Sequence, residues 1–103
     1  MKKFLVIGNP IKHSLSPQLH NYWIKENKIN ATYDKKLINE NDIEEIISEI
    51  QKGKIDGINV TVPFKKSVIP FLDKLTPLAN EAQSVNTIFK KDNKVFGDNT
   101  DVG

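Results

Sequence analysis

Four strongly apolar residues, Phe4-Leu5-Val6-Ile7, stand together near the start of the chain and are cut short by Gly8-Asn9-Pro10. A continuous run of this length, bounded by turn residues, suits a strand covered on both faces, as in a parallel sheet. Met1-Lys2-Lys3 ahead of it imitates a signal peptide, but the run falls short of the ~7–15 residues of a signal core, and no small-residue cleavage site follows. No apolar stretch approaches the roughly 20 residues that cross a bilayer, so no membrane partner is expected.

A first strand of that kind calls for helices and further strands to cover it. Ser16-Pro17 reads as a helix start, serine as N-cap and proline at the first helical position, with Leu19, Tyr22 and Trp23 at helical spacing. Residues 31–38 are expected to form a second strand near an edge, given Lys35 and Lys36. Asn41 and Glu44 resemble a capping box, Ile43, Ile46, Ile47 and Ile50 follow a helical stripe, and Gly53 is placed to end that helix.

Ile58, Val60 and Val62 alternate with Asn59 and Thr61 as in a strand, which Pro63 stops. A short helix is expected over Lys66 to Ile69, interrupted by Pro70. Thr76-Pro77 offers another capped start, with Leu78, Ala79, Ala82 and Val85 on one face. Thr87-Ile88-Phe89 and Val95-Phe96 flank Lys91-Asp92-Asn93 as a hairpin with a polar turn. The alternation of strand and helix predicts an α/β fold, a three-layer α/β/α sandwich whose mainly parallel sheet gains a late antiparallel hairpin. Residues 1–103 make one domain, and the ending Asp98-Asn99-Thr100-Asp101-Val102-Gly103 has the look of a cut rather than a stop.

Composition excludes several classes of function. There is no cysteine, so disulfides and thiolate metal sites are out, and cytoplasm is the default setting. A net charge of +2 and scattered lysine pairs without interleaved aromatics give no reason to expect nucleic acid. His13 and His20 have no third ligand nearby, so no metal is expected.

In an open parallel sheet, ligands bind beyond the carboxyl ends of the strands. Two loops fall at such ends: Gly8 to Ser16, with hydroxyls at Ser14 and Ser16, and Thr61 to Lys65. If their strands are neighbours, both open onto one crevice. Each residue also has a plain structural reading: Ser16 as an N-cap, Lys65 as a surface lysine, Asn86 closing the preceding helix, Asp101 capping a turn. Spacing and composition therefore reach a small α/β domain with a polar crevice fit for a carboxylate or polyol, and no further.

The motifs Gly8-Asn9-Pro10-Ile11-x-His13-Ser14-x-Ser16-Pro17, Asn59-Val60-Thr61-Val62-Pro63-Phe64-Lys65, Val85-Asn86-Thr87 and Gly97-Asp98-Asn99-Thr100-Asp101 occur in that order. The series resembles the amino-terminal domain of shikimate dehydrogenases over essentially the whole chain. The resemblance implies that Ser14 and Ser16 hold the carboxylate of shikimate or 3-dehydroshikimate. It further implies that Lys65, Asn86 and Asp101 bind ring hydroxyls, with Asn59 and Thr61 in support. Lys65 and Asp101 match the family's catalytic pair, and the reaction implied is reversible hydride transfer between NADPH and the C3 carbonyl of 3-dehydroshikimate.

The family's glycine-rich G-x-G-x-x-G/A turn is absent from these 103 residues, so the dinucleotide-binding domain is expected to be missing, no NADP is expected on the chain, and turnover is expected to be absent. Three alternatives stay open: a relative using quinate or NAD, a non-catalytic carboxylate-binding module, and a Ser–Lys hydrolase built on Ser14 or Ser16 with Lys65. No nucleophile elbow or oxyanion-hole sequence supports the last.

Overall fold

Strand β1 (Lys2–Gly8) is the hub of the sheet, with a parallel partner on each side. One is β2 (Ala31–Leu37) and the other β3 (Gly57–Val60). The computed structural model describes residues 2–8, 31–61 and 63–100. Three more strands, β4 (Lys74–Leu75), β5 (Thr87–Lys91) and β6 (Lys94–Asp98), complete a six-stranded sheet in the order β2-β1-β3-β5-β6-β4. Of its five pairings, β3–β5 and β5–β6 are antiparallel and the rest parallel. The expected mainly parallel α/β sheet with a late antiparallel hairpin is therefore present. The two-residue β4, beside β6, is a strand that the sequence pattern does not announce.

The register sorts side chains onto two faces. Leu5 lies opposite Ile58, and Ile58 opposite Ile88. With Ile7 and Val60 they join one apolar cluster that includes the isoleucines of helix α1 (Ile43–Gln51). Phe4 and Val6 alternate with these residues, lie outside that cluster and are nevertheless buried, so the second face of β1 is covered as well. This is why the opening run is continuously apolar rather than alternating. The helix expected from Ser16 lies outside the described residues.

Around α1 the expected stripe holds: Ile43, Ile46, Ile47 and Ile50 are all buried. The capping interaction falls two residues earlier than Asn41 and Glu44. A 3₁₀ turn, Glu40–Asp42, precedes the helix, and the Asn39 backbone N–H donates to Asp42 Oδ2 at 2.9 Å. Gly53, at φ +81°, ends α1 as expected. Its N–H donates to the Ile50 carbonyl at 3.0 Å and that of Lys54 to Glu49 at 2.9 Å, the paired bonds of a Schellman motif.

Four further expectations are corrected. Strand β3 stops at Val60, ahead of Pro63, although the Thr61 N–H adds one more bond to the Ile7 carbonyl at 3.0 Å. No α-helix covers Lys66 to Ile69; the chain turns through Val68 and closes in a 3₁₀ turn, Ile69–Phe71, where Pro70 sits early enough that its missing N–H is not needed. Helix α2 (Pro77–Ala82) has the predicted cap, Ala79 N–H donating to Thr76 Oγ1 at 3.3 Å, but only Ala79 of its side chains is buried, and Leu78 and Ala82 face solvent. In the hairpin, Lys91 belongs to β5 and the turn is Asp92-Asn93, with φ +52° and +65°. Positive φ at both central residues marks a type I′ turn, whose twist matches the strands it joins. Phe89 and Phe96 stack across the hairpin with centroids 5.8 Å apart.

Candidate functional site

The parallel pairing of β1 and β3 brings Gly8 and Thr61 to the same edge of the sheet, as two loops sharing a crevice require. Because β5 runs the other way, its first residues also lie at that edge. The Val60 N–H donates to the Asn86 carbonyl at 2.8 Å, placing Asn86 beside the carboxyl end of β3. Lys65 is tied to the same place through its backbone: its carbonyl accepts from the Val85 N–H at 2.8 Å. Asn59, Thr61, Lys65 and Asn86, read from two separate stretches of sequence, thus meet around one end of the sheet.

Their burial differs in an informative way. Thr61 and Lys65 are half-buried, Asn86 is 2% exposed and Asn59 is fully buried. Asn59 occupies the face of β3 opposite the apolar cluster and makes polar bonds there. Its Nδ2 donates to the Asn86 carbonyl and to Thr87 Oγ1, both at 3.3 Å. Both amide hydrogens are thereby engaged, and a polar side chain in a closed interior is tolerated on that condition. Asn59 is thus closed off in the interior and bonded to Asn86 and Thr87.

Above it, Thr87 Oγ1 donates to Asn86 Oδ1 at 2.9 Å. Thr100 holds the same amide from the other side: its N–H donates to Asn86 Oδ1 and its Oγ1 accepts from Asn86 Nδ2, each at 2.9 Å. The structural reading of Asn86 as the end of the preceding helix does not hold. Helix α2 ends at Ala82, followed by Gln83 in the left-handed region at φ +49°.

The stretch Gly97–Thr100 works as a clamp. Gly97 allows β6 to approach the core closely, since a Cβ there would stand 2.5 Å from Leu72 Cδ1 and 2.9 Å from Val85 Cγ2. Asp98 Oδ1 accepts from Thr76 Oγ1 at 2.6 Å, and the Asp98 carbonyl accepts from the Asn86 N–H at 3.0 Å. Asn99 Nδ2 donates to the Ser84 carbonyl at 3.1 Å. Three residues of the motif therefore fasten the chain to the α2–β5 connection, and the fourth, Thr100, grips Asn86.

Thr87 and Thr100, which hold the Asn86 side chain, are given no part by the sequence alone, although both stand inside motifs it singles out. A threonine next to an asparagine is no signal by itself; the antiparallel pairing of β5 with β6 is what brings the two together. Ser14, Ser16 and Asp101 lie outside the described residues, as do His13 and His20. Among the described residues no cluster of three or more potential metal ligands occurs.

A family model described as the shikimate dehydrogenase substrate binding domain matches residues 6–88. The shikimate dehydrogenase (NADP(+)) of Pelagibacter ubique (strain HTCC1062) is 66% identical over 101 residues, 98% of this chain and 38% of that protein. Among solved structures, shikimate dehydrogenase 1 from Peptoclostridium difficile superposes with a TM-score of 0.81 at 36% identity, over 98% of this chain and 38% of its own. Shikimate 5-dehydrogenase from Thermus thermophilus in complex with shikimate gives a TM-score of 0.81 at 30% identity, over 98% and 39%. The chain spans less than two fifths of the length of these relatives.

Proposed function

The chain belongs to the shikimate dehydrogenase substrate-binding domain family, and on that premise we propose that residues 1–103 form the shikimate-binding, catalytic domain of an NADP-dependent shikimate dehydrogenase working in the cytoplasm. The observation that carries the reading is the convergence of Thr61, Lys65 and Asn86 at the shared edge of β1, β3 and β5.

In this reading Ser14 and Ser16 bind the carboxylate of the substrate, supplying hydrogen bonds without a charge that must be desolvated. Asn86, Lys65 and Asp101 take ring hydroxyls, with Thr61 at the rim and Asn59 in support. When a carbonyl carbon is reduced, negative charge grows on its oxygen. A lysine ammonium within hydrogen-bond reach stabilises that charge selectively in the transition state and can deliver the proton. Lys65 has that part, and Asp101 orients it.

The nicotinamide cofactor named for the relatives would, when bound in its reduced form, supply the hydride. No glycine-rich dinucleotide turn occurs in these 103 residues, and none of them is assigned to the cofactor.

An amide NMR titration with shikimate, run on the chain and on Lys65→Ala, tests the assignment. Shifts at Ser14, Ser16, Thr61, Lys65, Asn86 and Asp101, weakened in the variant, are expected. A spectrum unmoved at millimolar shikimate would overturn it.

A further inference from the structure

A primary amide has four hydrogen-bonding positions, two acceptor sites on its oxygen and two hydrogens on its nitrogen. In Asn86 three are occupied within the protein. Oδ1 accepts from Thr87 Oγ1 and from the Thr100 N–H, and Nδ2 donates to Thr100 Oγ1, all at 2.9 Å. The opposite amide orientation would set an NH₂ group against the Thr100 backbone N–H, a donor that cannot accept, so the orientation is fixed by chemistry. The side chain is 2% exposed, and turning it would break all three bonds. Its neighbour Thr87 is held in turn, because Asn59 Nδ2 donates to its hydroxyl at 3.3 Å and leaves the hydroxyl hydrogen for Asn86.

We infer that Thr100 is a positioning residue: with Thr87 it leaves Asn86 a single uncommitted N–H, so a ligand atom met there must be an acceptor. This rests on the reading of Asn86 as a substrate contact. A hydroxyl fits, accepting from Asn86 while its own hydrogen goes to another acceptor. An ammonium at the same place meets a donor and is refused. Specificity at this point of the site comes from a residue that does not touch the ligand.

The test follows the two Asn86 side-chain amide protons by NMR in the chain, in Thr100→Val and in Thr100→Ser. In the unliganded chain the proton facing Thr100 should exchange slowly and its partner fast. On adding shikimate the partner alone should move. Thr100→Val, near in shape but without the hydroxyl, should lose the slow proton and weaken shikimate binding about two- to tenfold, the range for one hydrogen bond. Thr100→Ser should restore both, which a merely structural loss would not. Unchanged exchange and affinity in Thr100→Val would overturn the inference. So would shikimate shifts at Ser14, Ser16 and Lys65 with none at the Asn86 amide, an outcome that leaves the substrate reading standing. No shift at any residue would overturn both.

Discussion

The Lys65 carbonyl and the Val85 N–H are joined at 2.8 Å, a bond that ties the loop after β3 to the entry of β5. Val85 is fully buried and touches the space over Gly97, which places the packing of β6 directly behind Lys65 and Asn86. Core geometry and site geometry are therefore coupled at a single contact.

Gly97→Ala exploits that coupling. The added methyl would press on Val85 and Leu72, and overpacking of this kind typically costs about 1–3 kcal/mol. Urea unfolding should show that loss, and shikimate affinity measured by titration should fall as well, because Val85 carries the displacement to Lys65 and Asn86. Unchanged affinity in a destabilised variant would mean that the site is insulated from the core.

Asn59 is expected to respond to charge more than to size. Asn59→Ala leaves the Thr87 hydroxyl short of a donor and should cost about 2–4 kcal/mol. Asn59→Asp would set a carboxylate against the Asn86 carbonyl in a closed interior, raising the folded-state pKa of the new acid above its unfolded value of about 3.9. An acid with a raised pKa binds more protons folded than unfolded, so this variant should lose stability as pH rises through the range between the two values. Denaturation at about pH 4 and about pH 7 checks the sign.

At the far end of α1, Gly53→Ala should destabilise the chain by about 1 kcal/mol, since φ is +81° and a Cβ would be strained there despite open space around it. Gly53→Asn should lose less, asparagine being the better guest in the left-handed region. Thermal unfolding of the pair separates backbone strain from any loss of contact.

The cap on α2 serves two ends at once. Thr76 Oγ1 accepts from Ala79 and donates to Asp98 Oδ1, so Thr76→Ala removes both bonds and should cost about 1–2 kcal/mol. Thr76→Ser keeps the hydroxyl and should stay close to the parent in the same denaturant series.

For chemistry, the 103 residues alone should give no shikimate-dependent NADPH formation while still binding shikimate. NADPH fluorescence and the NMR titration read these separately. Turnover above a Lys65→Ala control would overturn the assignment of the cofactor to residues elsewhere.

Much of this was legible beforehand because it is local. The isoleucine stripe of α1, the Gly53 stop, the Thr76-Pro77 start and the polar hairpin turn each depend on residues within one or two turns of chain. The errors also have local causes. Asn41 and Glu44 have the right spacing for a capping box, but the 3₁₀ turn at Glu40–Asp42 moves the entry to Asn39 and Asp42. Val62 continues the alternation of β3 in sequence, whereas the strand has already ended at Val60. Lys65 and Asn86 could be named from motifs, but the roles of Thr87 and Thr100 could not, because they arise from which residues face each other across the β3–β5 and β5–β6 pairings.

The type I′ turn at Asp92-Asn93 bears on how the molecule assembles. A two-residue connection lets β5 and β6 find each other by closing a very short loop, on a scale of roughly microseconds. Setting Phe4 beside Gly57 requires closing a far longer one. The hairpin is thus the expected early element, and the Asn59–Thr87 contact is the seam where the late parallel half arrives. Pulse-labelled hydrogen exchange during refolding should protect Phe89 and Phe96 ahead of Ile58, so that the crevice takes shape only once the chain has otherwise closed.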